Sequence, residues 1–118
     1  MSRLEATAEQ QRVLVKAVMN VATQLNLSSI QLAEILDLDS ASLAQLEALP
    51  ELDPQTETGQ RAMFLVQIFK RLFAMTGGDA VWMQQFMQSP NQMTHGIPMQ
   101  QMNSLDGMRN ILAVLEMQ

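Results

Sequence analysis

Apolar residues recur every three or four positions along most of the chain, which is the period of an amphipathic helix. Thr7 is followed three residues later by Gln10, and this spacing is typical of a capping box at a helix start. Ser28 and Gln31 repeat the spacing before a second apolar run. The first apolar stripe consists of Leu14, Ala17, Val18, Val21, Ala22 and Leu25.

The middle of the chain continues the helical pattern. The pair Asp39-Ser40 predicts the start of a short helix that packs through Leu43 and Leu46. A longer helix is predicted from about residue 56 to residue 75, and Gly77-Gly78 ends it. Its apolar stripe is broad, which indicates contacts on more than one side of the helix.

Two further helices are predicted near the C-terminus. Asp79 is the expected cap of the first, and Ser104 is the expected cap of the second. We expect Trp82 to fill the C-terminal part of the core. No segment alternates with period two for long enough to form a sheet, so the sequence predicts an all-α fold, a small helical bundle.

Pro50 and Pro54 bracket an acidic connector, which is the best internal boundary in the chain. We predict an N-terminal helix-turn-helix-like region over residues 1–52 and a C-terminal helical domain over residues 53–118. At these sizes neither part is expected to be very stable alone.

The composition of the 118 residues narrows the possible functions. The chain has no cysteine and no tyrosine and only one histidine, which excludes disulfides, thiolate nucleophiles and zinc knuckles. The H-E-x-x-H, G-x-S-x-G and G-x-G-x-x-G patterns are absent too, so we expect neither an enzyme nor a cofactor or metal site. No apolar run reaches the ~18 residues of a membrane span, and no secretory leader opens the chain. We therefore expect a cytoplasmic protein without membrane contact.

Residues 28–46 have the layout of a helix-turn-helix. The side chains placed to contact DNA are Ser40, Ser42 and Gln45, and none of them makes a bidentate arginine contact with guanine. The chain carries a net charge of −5 and has no lysine or arginine between Lys16 and Arg61, a window that holds seven acidic residues. Such a stretch repels a phosphate backbone. A helical hairpin that only packs against its neighbours is therefore favoured over a DNA reader.

The chain contains eleven methionines, nine of them from Met63 onward. Three interpretations are open. Most of the methionines pack a core in place of leucine, or they form a pliable apolar surface for a partner. The third and weakest interpretation is a copper(I) site built from Met99, Met102 and His95, because soft thioethers favour that ion.

The C-terminal stretch resembles the toxin-binding domain of Xre/MbcA/ParS-type antitoxins. The order of elements upstream is similar as well, so the resemblance extends from about Gln11 to Leu115. Two positions depart from the family: Asp37 stands where the helix-turn-helix turn usually has glycine, and Gln45 stands where the second helix usually has arginine. The residues that carry the resemblance are Phe86-Met87-Gln88-Ser89-Pro90-Asn91, Met93, Gly96, Pro98, Met102, Ser104, Gly107-Met108, Ile111 and Leu115.

The resemblance implies an antitoxin that does no chemistry itself and that binds and occludes a RES-domain toxin, an NAD-consuming enzyme. It also implies a homodimer and weak binding to operator DNA. Gly96 and Gly107 are expected to allow tight backbone turns. The residues expected to bind the toxin or to support that surface are Trp82, Phe86, Met87, Asn91, Met93, Gly96, Pro98, Met99, Met102 and Gly107.

Two other classes of function stay open from the sequence. One is a helix-turn-helix transcriptional regulator that acts through DNA. The other is a helical adaptor that has no toxin and binds no DNA.

Overall fold

A computed structural model describes residues 7–117, which form seven helices and no strand. The all-α prediction is confirmed. Residues 1–6 and Gln118, which belong to the ends of the two predicted regions, lie outside the described range. The helices are α1 (Ala8–Gln24), α2 (Ser29–Leu36), α3 (Ser40–Ala48), α4 (Glu57–Thr76), α5 (Ala80–Gln88), α6 (Pro98–Gln101) and α7 (Leu105–Glu116).

The helix starts lie where the sequence placed them. Thr7 and Ser28 each form a reciprocal capping box with the glutamine three residues later. At the start of α3, the Asp39 carboxylate accepts a hydrogen bond from the Ser42 N–H at 2.7 Å. Asp79 and Ser104 cap α5 and α7 in the same way. These local bonds satisfy N–H groups that the first turn of a helix leaves without a partner, which is why short-range sequence signals predict them.

Helix α4 lies at the centre of the molecule. It runs within one residue of the predicted bounds and ends at Gly77, which adopts a left-handed conformation with φ +67°. Its residues Ala62, Leu65, Ile68 and Leu72 are fully buried. Helices α1, α2, α5 and α7 all contact α4. Most of the broad apolar stripe is therefore covered within one chain, while Met63 and Phe73 stay 41% and 45% exposed.

The connector between α3 and α4 is anchored to α1. Leu52 is buried, and its N–H donates a hydrogen bond to the Gln11 carbonyl oxygen at 3.3 Å. Beside it, the Arg12 guanidinium lies 3.2 Å from the Glu51 carboxylate. One hydrophobic core extends through residues from both sides of this connector. The division at residues 52 and 53 stays a prediction.

The turn between α2 and α3 is made by an aspartate in a conformation that favours glycine. Asp37 ends α2 with φ +57° and ψ +48°, and its N–H donates to the Glu34 carbonyl oxygen. Aspartate tolerates this left-handed region better than most side chains because its short polar group interacts with the local backbone. Asp37 thus makes the turn between the two helices without a glycine.

None of the helices within residues 7–117 is both long enough and apolar enough to cross a membrane.

A buried arginine ties the two parts of the chain together. Arg61 on α4 is buried, and its Nη1 donates to the carbonyl oxygens of Ile35 at 3.3 Å and of Asn103 at 3.0 Å. Its Nε also donates to Glu57 at 3.2 Å, where the carboxylate is largely exposed. One guanidinium thereby joins the end of α2 to the turn between α6 and α7.

We expect Arg61→Ala to lower the free energy of unfolding by about 3 kcal/mol, because it leaves two carbonyl oxygens without a donor and opens a cavity. Urea denaturation measures this change. The matched control is Arg71→Ala on the same helix, whose exposed pair with Glu116 spans 3.6 Å and is worth less than about 1 kcal/mol. Equal losses in the two variants would contradict the role assigned to Arg61.

Candidate protein-binding surface

Helix α5 has one buried face and one exposed face. Met83 and Met87, one turn apart, are fully buried in the core. On the other side, Val81 is 63% exposed and Trp82 is 50% exposed. The expectation that Trp82 fills the core is wrong, because the helix turns Met83 inward at the neighbouring position. A half-exposed tryptophan beside an exposed valine forms an apolar patch, and such patches mark binding surfaces more often than surfaces that face only solvent.

The loop after α5 is closed by Asn91. Its N–H donates to the Gly96 carbonyl oxygen at 2.9 Å, and the Gly96 N–H donates back at 3.3 Å. The Asn91 Oδ1 atom accepts hydrogen bonds from the N–H groups of Met93 at 2.8 Å and Thr94 at 3.2 Å. Asn91 thus supports the surface by shaping the loop, and the loop leaves Met93 52% exposed.

The left-handed residue in this loop is His95, with φ +64°, while Gly96 has no such conformation. The predicted tight turn at Gly96 is therefore made one residue earlier. Gly96 matters through space, since an added Cβ would lie 2.9 Å from the Gln101 amide nitrogen. Gly107 is likewise not in a turn but in the first turn of α7, where a Cβ would collide with the Gln101 carbonyl oxygen.

A buried threonine fastens the loop to the two last helices. Thr94 is almost fully buried, and its carbonyl oxygen accepts hydrogen bonds from Gln101 Nε2 at 2.6 Å and from Asn110 Nδ2 at 3.1 Å. Its hydroxyl donates to the Gly96 carbonyl oxygen at 3.2 Å. Because donors from α6 and α7 hold one carbonyl, the loop is ordered before any partner binds, which lowers the entropic cost of binding.

The predicted site residues divide into three groups by exposure. Trp82 and Met93 are exposed, and Phe86 and Met99 are half-buried against the core. Met87, Pro98 and Met102 are buried, so these three support the surface from below. The α5 helix and the loop after it present the exposed members, and we call residues 81, 82 and 93 the C-terminal surface.

The methionines are divided in the same way. Four of them are fully buried, namely Met83, Met87, Met102 and Met108, which agrees with the core interpretation for these side chains. Three are exposed, namely Met63, Met93 and Met117. No cluster of three or more histidine, aspartate or glutamate side chains able to hold a metal ion occurs within residues 7–117. The copper(I) hypothesis, in which Met102 would leave the core to join the exposed His95, stays a prediction.

Charge is absent from the whole segment that builds this surface. From residue 80 to residue 105 the chain has no aspartate, glutamate, lysine or arginine. The centres of protein interfaces are depleted in charge and enriched in aromatic residues and methionine. This uncharged run is the sequence signal that marks Val81 as part of the surface. The helical period alone would place Val81 in the core. The supporting roles of Thr94, Gln101 and Asn110 had no such signal, because they depend on contacts between distant residues.

The candidate DNA contacts lie on α3, with Ser40 and Ser42 in its first turn and Gln45 beyond that turn. Ser40 and Gln45 are exposed, while Ser42 is partly buried and its N–H is bonded to Asp39. The bonds from the Ser42 backbone and side chain lower the pKa of the Asp39 carboxyl below its ordinary value of 3.8. A negative charge therefore lies at the N-terminal end of α3, the end of a helix that otherwise attracts phosphate. DNA binding through these residues stays a prediction.

We expect Gly107→Ala to lower the free energy of unfolding by about 1–3 kcal/mol, because the new methyl group meets a backbone carbonyl oxygen. A lower midpoint of thermal unfolding reports this loss. In an open helix the same change raises stability by about 0.5–1 kcal/mol, so the sign of the shift is diagnostic. The control is Ala113→Gly on the exposed side of α7, where glycine lowers stability by the helix propensity alone. A rise in stability for Gly107→Ala would contradict the close approach.

The comparisons with known proteins concern this same part of the chain. Residues 71–118 match the family model described as the antitoxin Xre/MbcA/ParS C-terminal toxin-binding domain. A search of curated proteins finds no match to the chain. The family match covers α5, the loop, α6 and α7, together with the end of α4, and it confirms the resemblance to this antitoxin family over residues 71–118. The resemblance upstream of residue 71 stays a prediction.

Proposed function

We propose that this chain is the antitoxin of a type II toxin–antitoxin system and that it occludes a RES-domain toxin, because residues 71–118 match the model of an antitoxin toxin-binding domain. It acts by binding and carries out no chemistry of its own. The observation that carries the proposal is the C-terminal surface, which is exposed, apolar and free of charge within the matched domain.

The exposed and apolar character of this surface supports the proposal that it occludes the toxin. Trp82 offers a large flat side chain that is already half out of water, and Met93 adapts its shape to irregular partners. The loop that presents Met93 is held by Asn91 and by the donors to the Thr94 carbonyl, so the loop loses little conformational entropy on binding. A rigid apolar patch of this kind seals the mouth of an enzyme pocket by excluding water from the contact.

The net charge of −5 supports the encounter with a basic toxin. Charges outside the contact steer association and act mainly on its rate, whereas the apolar centre sets how long the complex lasts. The acidic N-terminal half therefore acts on the rate of association with the toxin. The uncharged C-terminal surface acts on how long the complex lasts.

We expect Trp82→Ala to weaken binding of a RES-domain protein encoded beside this chain by at least about tenfold, because an exposed aromatic anchor at the centre of an interface carries much of the affinity. Co-expression with growth rescue and co-purification gives a first answer, and titration calorimetry gives the affinity.

The matched control is Leu49→Ala, since Leu49 is 67% exposed but lies at the end of α3, far along the chain from the toxin-binding domain. This control should bind like wild type. If Trp82→Ala and Met93→Ala both bind like wild type while remaining folded, the surface is assigned wrongly. If the neighbouring protein is neither toxic nor bound, the antitoxin function itself fails, and an adaptor with another partner becomes the leading alternative.

Weak operator binding through α3 is the second element of the proposal, and it is supported by the exposure of Ser40 and Gln45 beyond the Asp37 turn. We expect a gel shift with upstream DNA only at low salt, because few phosphates are neutralised by so acidic a surface. Gln45→Arg, which introduces the family's usual residue, should strengthen the shift. No shift at low salt for either protein would leave the helix-turn-helix-like unit without a role in DNA binding.

The family resemblance also predicts a homodimer. Most of the apolar stripe of α4 is covered by other helices of the same chain, while Met63 and Phe73 stay exposed, so such a dimer has exposed apolar side chains available both on α4 and elsewhere on the molecule.

A further inference from the structure

A groove of about 340 Å³ lies between α2 and α3, outside the C-terminal surface. Its lining includes the apolar side chains of Ala33, Leu38 and Leu43. Ile30 also lines it and is 72% exposed, the most exposed large hydrophobic side chain within residues 7–117. An apolar side chain from another molecule would remove this surface from water.

Two carboxylates give the groove its charge. Glu34 on α2 and Glu47 on α3 belong to its lining. Neither forms an ion pair with another residue of the described range 7–117. An occupant that complements the groove therefore combines an apolar side chain with positive charge, which a phosphate backbone does not offer.

The exposed face of α1 has this combination. Val13 is 60% exposed, Arg12 precedes it, and Lys16 follows it by one helical turn. These two basic residues are the only ones between residues 7 and 60. Glu9, one turn before Val13, reduces the net charge of the face to +1.

Both cations are accessible to a partner. Lys16 is exposed and forms no ion pair within the described part of the chain, residues 7–117. Arg12 contacts Glu51, yet about half of its side chain, 53%, is exposed. We call Arg12, Val13 and Lys16 the α1 face.

We propose that two copies of this chain associate by placing the α1 face of one copy over the α2–α3 groove of the other. Val13 covers Ile30 and Leu38, while Lys16 lays its aliphatic stem on the apolar lining and directs its ammonium group toward Glu34 and Glu47. The inference rests on the homodimer prediction of the proposed function and gives it a surface. Each copy has one face and one groove, so a two-fold pair forms the contact twice.

The contact is small, so association should be weak and sensitive to salt. Sedimentation velocity over a concentration series should give a mass that rises from monomer toward dimer, and added salt should reverse the rise. Lys16→Glu and Glu34→Lys should each abolish the rise, because each places like charges across the contact.

A one-to-one mixture of the two variants should restore the dimer. In the mixture, Lys16 of the second variant meets the intact groove of the first, and the new glutamate meets the new lysine in the other contact. The matched control for Glu34→Lys is Asp106→Lys, which makes the same change in net charge at an exposed position of α7 and should sediment like wild type. Circular dichroism checks folding, and Glu47→Lys serves as a second groove variant.

A wild-type chain that stays monomeric at every concentration overturns the proposal, as does a mixture that fails to restore the dimer. If the wild type is monomeric alone but Glu34→Lys weakens the toxin complex, the groove accepts a basic segment of the toxin, and the proposal is wrong. Toxin binding is measured separately with Trp82→Ala, so failure of the proposed function leaves the sedimentation result readable.

Discussion

The buried guanidinium of Arg61 is the interaction on which the arrangement of the helices depends. It bonds one carbonyl at the end of α2 and another in the turn before α7, and it does so from α4, the helix that the others surround. Burying a charge is costly unless donors and acceptors are matched, so the three segments are held in a single register. Apolar side chains from α1, α2, α4, α5 and α7 supply the burial, and Arg61 fixes how the two halves meet.

This arrangement separates the work of the two halves. The C-terminal half exposes an uncharged surface whose loop is pre-ordered through the Thr94 carbonyl, and the family match falls on this half. The N-terminal half carries the acidic residues and the α2–α3 groove. The proposed contact with a toxin and the proposed contact with another copy therefore use different helices of one chain, α5 with the loop after it for the first and α1 to α3 for the second.

The helix-turn-helix-like unit keeps the turn geometry of the motif but lacks the positive charge that usually accompanies DNA binding. Asp37 adopts the left-handed conformation that glycine favours, so the two helices form a hairpin. Gln45 and the Asp39 carboxylate stand where positive charge would favour DNA. The hairpin thus keeps its role in packing, through Leu43 and Leu46, with an electrostatic surface suited to basic partners.

The sequence by itself determined the helices other than the short α6, together with their starts, because capping at Thr7, Ser28, Asp39, Asp79 and Ser104 depends on bonds across three residues. It also pointed to the family. Only the tertiary structure decided that Trp82 lies outside and Met83 inside, since both fit a broad apolar stripe and the packing of α5 selects between them. The same holds for Gly107 and Thr94, whose roles come from Gln101 and Asn110. Such contacts join positions whose spacing along the chain carries no periodic signal.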